Sequence, residues 1–422
     1  MNFNSDIINR EDFTIILNNF FSLTLLKALT YILPLITFPY LIRVLGVEKF
    51  GLIMFAQATM YYFEIVVDFG FNLSATREVA LNAKRTNKLN EIISAVFSIK
   101  FTLLVFSFLV LIAVVNLFDR FMNDSMLYYY SFLKVMALAF FPVWFFQGIE
   151  KMKYITLIDI ISKSIFTILI FVFVQSESDY LLVPLISGLG YIIGSILALF
   201  YLFKRFKRSF IFCSFSFLKK TFHDSSMFFL SRVSVSLYTT SNAFILGLVT
   251  SNIMVGYYVV AEKLYMVIRQ MYQPVVQVIY PYISKSKNVR FFKKLYPIVT
   301  LLNLAGIYVL WVFAPEIIQL VTKETFVESV KVFRILLIVA CIVVPSILIG
   351  YPFLAALGFK NEANYSTIIG SLFHVSVLGI FYFFNWINIY NIVYLLIVTE
   401  LIVLLYRYYT VYKNKLFSID KS

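Results

Sequence analysis

The sequence predicts an all-α membrane protein with about 12 transmembrane helices in two pseudo-symmetric six-helix lobes. Three observations carry that prediction: the composition, the length of the apolar blocks, and the confinement of basic residues to alternate loops. Of 422 residues, 61% are hydrophobic and 14% charged, with a mean hydropathy of +0.87. Soluble globular chains carry about 25% charged residues. The apolar residues run in blocks of roughly 20, enough at 1.5 Å per residue to cross about 30 Å of hydrocarbon.

Taken in order, the first block, 13–41, is apolar around Lys27 and ends in a Pro34 to Pro39 stretch, and 51–71 closes on Asp68. Blocks 92–117 and 126–147 each hold one cation, Lys100 and Lys134, and 155–174 holds Asp159 and Lys163. Block 181–203 has no charge, whereas 225–248 contains Arg232. The eighth, 253–283, is too long for one straight span and contains Pro274 and Pro281, so a kink or unwound end is expected. Blocks 296–314, 330–352, 364–384 and 388–409 complete the set.

Counting Lys and Arg in alternate loops, with Arg407 taken with the C-terminal end, places 23 on one side. Only Arg43, Lys49, Arg120 and Lys323 lie on the other. The positive-inside rule then puts both termini in the cytoplasm. The formal charge of +14 is thereby a matter of topology, and no nucleic-acid partner is expected. The first apolar block is too long, and lacks the small-residue site, for a cleaved secretory signal. Cys213 and Cys341 fit no metal or redox spacing and receive no role, and no cofactor is expected.

The halves resemble each other. Pro142, Gly148 and Tyr154-Ile155-Thr156 recur, about 210 residues on, as Pro352, Gly358 and Tyr365-Ser366-Thr367. A parallel repeat of six helices plus six predicts lobes at 1–212 and 213–422, joined by the basic loop 204–224.

Charges remain inside the spans, where each costs about 2.5 to 3.5 kcal/mol at a helix centre. Asp68, Asp159, Lys163, Lys331 and Arg334 lie near span ends, where snorkelling or a headgroup contact suffices. Lys27, Arg232, Glu262, Arg269 and Glu400 lie deeper. Three helices carry a polar stripe at helical spacing: Lys27, Thr30, Pro34 and Thr37; Ser225, Arg232, Ser236 and Thr239; and Glu262, Tyr265, Arg269, Gln273 and Gln277. The three cations are expected to line one cationic lumen; the hydroxyls alone read as helix-packing groups. Glu262, Glu400 and His374 are candidates for a coupling proton or a polar lumen lining, although a lone interior His is more often packed and hydrogen-bonded. Trp144 and Asn242 receive no functional reading.

Nothing reads as an enzyme: no metal-ligand cluster, phosphate-cradling Gly-rich loop or nucleophile with a base. A polysaccharide polymerase would need a large outer loop, and the longest outer loop here is the short one around Lys323. Transport is the remaining class.

Several segments resemble the Wzx-type O-antigen flippases, polysaccharide transporters of the multidrug/oligosaccharidyl-lipid/polysaccharide exporter superfamily. They are Pro34-Leu35-Ile36-Thr37-Phe38-Pro39-Tyr40-Leu41, Leu45-Gly46-Val47-Glu48-Lys49-Phe50-Gly51, Asp68-Phe69-Gly70-Phe71 and Ala75-Thr76-Arg77-Glu78-Val79-Ala80. The most specific is Trp144-Phe145-Phe146-Gln147-Gly148-Ile149-Glu150-Lys151-Met152-Lys153-Tyr154-Ile155-Thr156. In the second half, Val255-Gly256-Tyr257-Tyr258-Val259-Val260-Ala261-Glu262-Lys263 is similar to the family's eighth helix. The likeness is densest over the first 156 residues.

The resemblance implies 12 helices, alternating access, and transfer of an undecaprenyl-pyrophosphate-linked oligosaccharide from the cytoplasmic to the periplasmic leaflet of the bacterial inner membrane. Membrane lipid, a polysaccharide polymerase and a chain-length regulator are the partners it admits. A cationic lumen suits a pyrophosphate, whose charge cannot cross hydrocarbon uncompensated. The alternative is an ion-coupled small-molecule exporter of the same superfamily, which for organic cations would favour an acidic cavity.

Overall fold

The computed structural model describes residues 10–418 other than Thr325, with side chains described for these except 10–32, 34, 35, 234, 235, 237–239 and 418. Every regular element among them is helical. Nine helices among the described residues are long and apolar enough to cross a membrane. They coincide with nine of the 12 expected blocks, all but 13–41, 225–248 and 253–283. The side chains of 13–32 lie outside the described residues, while the other two blocks are helical but interrupted and more polar. In 225–248 and 253–283 the polar stripe lowers the hydropathy on which a span is recognised.

Packing groups the chain into two units. One is Thr30–Gly256, and the other is built on Tyr257–Ser422 with the chain before Thr30. In the first, α1 (Arg10–Asp68) is broken at Gly46, which takes φ 71° and ψ 168°. Beyond the break Gly51 faces the start of the later helix α11 (Asn252–Met271); a Cβ there would lie 1.9 Å from the Asn252 carbonyl oxygen, so only glycine fits. Helices α2 (Phe71–Leu81), α3 (Thr86–Leu117) and the short α4 (Asp119–Met122) follow. The expected fourth span is two helices, α5 (Ser125–Phe140) and α6 (Val143–Gly148), because Pro142 has no N–H to continue the ladder. Then come α7 (Met152–Phe173) and α8 (Leu182–Phe200), which runs into a π-helical turn, Tyr201–Arg205.

Small residues let these helices approach closely, the usual device where lipid offers no hydrophobic drive to association. Gly190 and Gly194 of α8 sit against Ser162 of α7, and Gly188 against Leu133 of α5. An aromatic core of Phe97, Trp144, Phe145 and Phe146 closes the end where α2, α3 and α6 meet. The block 225–248 divides into α9 (Phe215–Thr239) and α10 (Ser241–Val249).

In the second unit the expected kink in 253–283 is a full break at Tyr272, and α12 (Gln273–Ser286) restarts with Pro274 in its first turn, where a missing N–H costs nothing. Gln273 and Gln277 therefore belong to a different helix from Glu262 and Arg269. Helices α13 (Val289–Val312), α14 (Ala314–Thr322), α15 (Val327–Ile349), α16 (Lys360–Phe383) and α17 (Ile389–Lys413) complete the unit. In α15 72% of the most apolar window is buried, against 11% in α13, so α15 is central to its unit and α13 is largely exposed.

Candidate functional site

Within Thr30–Gly256 four charged side chains inside the span blocks line one small cavity, and a fifth, Lys134, pairs with one of them. The turn after α1 sets the arrangement. Phe69 and Gly70 take positive φ, 45° and 77°, and a Cβ on Gly70 would lie 2.7 Å from the backbone nitrogen of Phe229 in α9. Glycine lets the turn press against α9 one helical turn before Arg232, while Phe69 stacks on Phe222 and Phe229.

The Asp68 carboxylate, 8% exposed, is thereby held between two cations. Arg232 Nη1 donates to Oδ2 at 3.0 Å, and Lys100 Nζ lies 3.6 Å from Oδ1. One turn back along α1, Glu64 Oε1 accepts from Lys134 Nζ at 2.8 Å, and that ammonium lies over the Tyr191 ring. The cluster carries three cations and two carboxylates.

Glu64, Asp68, Asn72, Lys100 and Arg232 border a cavity of about 80 Å³, room for a few waters. The buried Asn72 Oδ1 is without a hydrogen bond among the described residues. The two main cations differ in access: Lys100 is 3% exposed, whereas Arg232 keeps 39% of its side chain open.

The expectation that Asp68 sits at a span end needing only a headgroup contact is corrected: it is the buried anion joining α1, α3 and α9. The signal was present in the i, i+4 spacing of Glu64 and Asp68 opposite lone lysines in the next two spans, since pairing is the least costly way to keep such charges in a membrane. Of the second stripe, Ser225 bonds Ser74 of α2 at 2.7 Å and Ser236 bonds its own helix at the Val233 carbonyl, which is the packing role.

In the other unit, Tyr258 donates to Glu262 Oε1 at 2.8 Å, and the Arg269 guanidinium lies 5.9 Å from the centre of the Tyr265 ring. Tyr265, 2% exposed, sits in the field of Arg269, Glu400 and Glu262, so the expected deep charges of α11 and α17 are neighbours. Glu400 is itself 5% exposed. His374 is fully buried, with Nδ1 2.9 Å from Thr399 Oγ1. Because the Thr399 hydroxyl donates to the Leu395 carbonyl, the imidazole Nδ1 is the donor in that contact. The side chain of Lys27 lies outside the described residues.

Arg407, expected at the cytoplasmic C-terminal end, is instead buried within α17. Its guanidinium donates to the Ser346 carbonyl at 2.7 Å and to Ser366 Oγ at 2.9 Å. A Cβ on Gly350, at the start of the π-helical turn Gly350–Ala355 after α15, would lie 2.8 Å from Nη1, so the glycine leaves room for the guanidinium where it sits. Arg407 lies beside Tyr408 and Tyr409 in a run that reads as an interfacial helix end, which hid it.

The model of the polysaccharide biosynthesis protein family matches residues 16–287, well over half of the chain. A candidate O-antigen transporter of Escherichia coli (strain K12) is 29% identical over 369 residues, covering 86% of this chain and 88% of that protein. Among solved structures, the lipid II flippase MurJ in an inward closed conformation is similar with a TM-score of 0.71 at 15% identity, over 93% of this chain and 88% of that one. An inward-facing multidrug resistance MATE family transporter of the MOP superfamily aligns with a TM-score of 0.70 at 14% identity, over 94% of this chain and 96% of that one. At such identities the structures speak for the fold alone. This multi-pass membrane chain therefore belongs to the polysaccharide biosynthesis protein family, as its resemblance to Wzx-type transporters implied, and has the fold of the MOP superfamily.

Proposed function

We propose that the protein is a flippase that moves undecaprenyl-pyrophosphate-linked oligosaccharide repeat units from the cytoplasmic to the periplasmic leaflet of the bacterial inner membrane. Family membership and a relative named for O-antigen transport support the lipid-linked oligosaccharide class. The observation that favours an anionic headgroup is Arg232, oriented by Asp68 through one nitrogen while much of its side chain stays open. A guanidinium held in this way has donors left for a diphosphate. Lys27, Arg232 and Arg269 are the proposed ligands of that headgroup. Glu262 and Glu400 are the proposed carriers of a coupling ion, and the bonding of His374 suits a packing role. The moving bodies are the two lobes, 1–212 and 213–422, with both termini cytoplasmic.

Deleting the gene in its own host stops surface polysaccharide export, and the lipid-linked repeat units accumulate in the cytoplasmic leaflet. Restoring the intact chain restores export; unchanged surface polysaccharide in the deletion strain refutes the proposal. Topology is tested separately. A reporter enzyme fused after residue 212 or at the C-terminus is active as a cytoplasmic fusion, and one near residue 178 as a periplasmic fusion. Periplasmic activity after residue 212 overturns the even-helix arrangement.

A further inference from the structure

The segment between α8 and α9 is ordered in a way that a passive connector does not need. Phe206 packs on Phe145, Phe146 and Tyr154 of the aromatic core. Lys207 then takes a left-handed φ of 49° and turns the chain along the first turns of α3. There Asn90 both accepts from the Ser209 backbone and donates to its hydroxyl, at 3.2 and 2.8 Å. Ser94 Oγ accepts from the Ile211 backbone at 2.8 Å, and Cys213 Sγ reaches the Glu91 carbonyl at 3.3 Å. Ser214 caps α9.

These contacts recur at 209, 211 and 213, the period of an extended chain, which turns Phe210 and Phe212 away from α3. Phe212 is wholly exposed, Phe215 is 80% exposed and Phe210 53%. Around them stand Lys204, Arg205, Lys207, Arg208, Lys219 and Lys220, with no Asp or Glu from 204 to 223.

Arg208 adds an independent observation. Its Nε and Nη1 are buried and without a hydrogen-bond partner among the described residues. Burial, with no carboxylate to offset it, draws its guanidinium below the usual range. A half-buried guanidinium with two unpaired nitrogens favours an anion from outside the chain. Exposed aromatics beside a cationic cluster at the end of a span are suited to the headgroup layer, where rings enter the interface and cations meet phosphates.

We infer that residues 204–220 form a docking strap for anionic phospholipid, with Arg208 and the flanking lysines holding headgroup phosphates and Phe210, Phe212 and Phe215 seated in the interface. Zwitterionic lipid presents the same apolar depth without net charge, so the strap discriminates by charge, and high salt weakens the preference.

The test uses the full-length chain carrying Phe212→Cys with Cys213→Ser and Cys341→Ser, labelled at position 212 with a fluorophore and reconstituted in phosphatidylcholine vesicles. These contain either phosphatidylglycerol or further phosphatidylcholine bearing a nitroxide close to the headgroup. Quenching by the labelled phosphatidylglycerol exceeds that by the labelled phosphatidylcholine, and adding Arg208→Gln reduces the preference about fivefold. If that variant does not fold, Lys204→Gln with Lys207→Gln, both at exposed positions, is read in its place. Equal quenching by the two lipids overturns the anionic preference, and no quenching by either overturns contact with the membrane.

Discussion

Asp68→Ala destabilises the detergent-solubilised protein by about 3 to 5 kcal/mol, because it leaves Lys100 buried without its carboxylate. Arg232 loses the same partner but is 39% open, so water takes up much of its charge and Lys100 carries most of the penalty. The double variant Asp68→Ala with Lys100→Met recovers most of the loss, since the buried charge is removed together with its counterion. The measurement is the fraction of protein that remains monodisperse after heating across a temperature series. An Asp68→Ala protein as heat-resistant as the parent shows that the pair contributes nothing to the fold. A double variant no better than the single one shows that the lost carboxylate was acting on something other than Lys100.

Arg269→Ala abolishes surface polysaccharide export at normal membrane level, whereas Arg269→Lys keeps part of it. Lys retains the positive charge but lacks the planar fork that holds a phosphate through two parallel bonds; Ala lacks both. Insertion is little affected, because removing a charge from a span relieves an unfavourable transfer. Export and membrane level are measured together in the deletion strain. Full export by an Arg269→Ala protein present at the parent's level shows that Arg269 is not an anion ligand. The two variants fail differently: Asp68→Ala lowers stability first, while Arg269→Ala stops transport by a protein that is still folded. That contrast separates a charge the fold requires from one the substrate requires.

Features that depend on local runs of residues are legible in the sequence. Nine spans, the break at the Pro274 region and the placement of Glu262 and Arg269 along α11 follow from length, hydropathy and helical period, each contained within about 30 consecutive residues. The motif Asp68-Phe69-Gly70-Phe71 was legible as a resemblance, but the reason for its glycine, the backbone of α9 at 2.7 Å, was not. The burial of Arg407 was likewise hidden in a tyrosine-rich helix end. Which charges meet depends instead on how distant helices pack. Asp68 and Arg232 are 164 positions apart, and Lys100 reaches the same carboxylate from a third helix. Hydropathy shows that an ionised group inside a span requires a partner, because its transfer energy depends on the group and its depth. Which partner it finds depends on the rotation and depth of helices distant in the chain, and those are set by close approaches of the kind seen at Gly51 and Gly70.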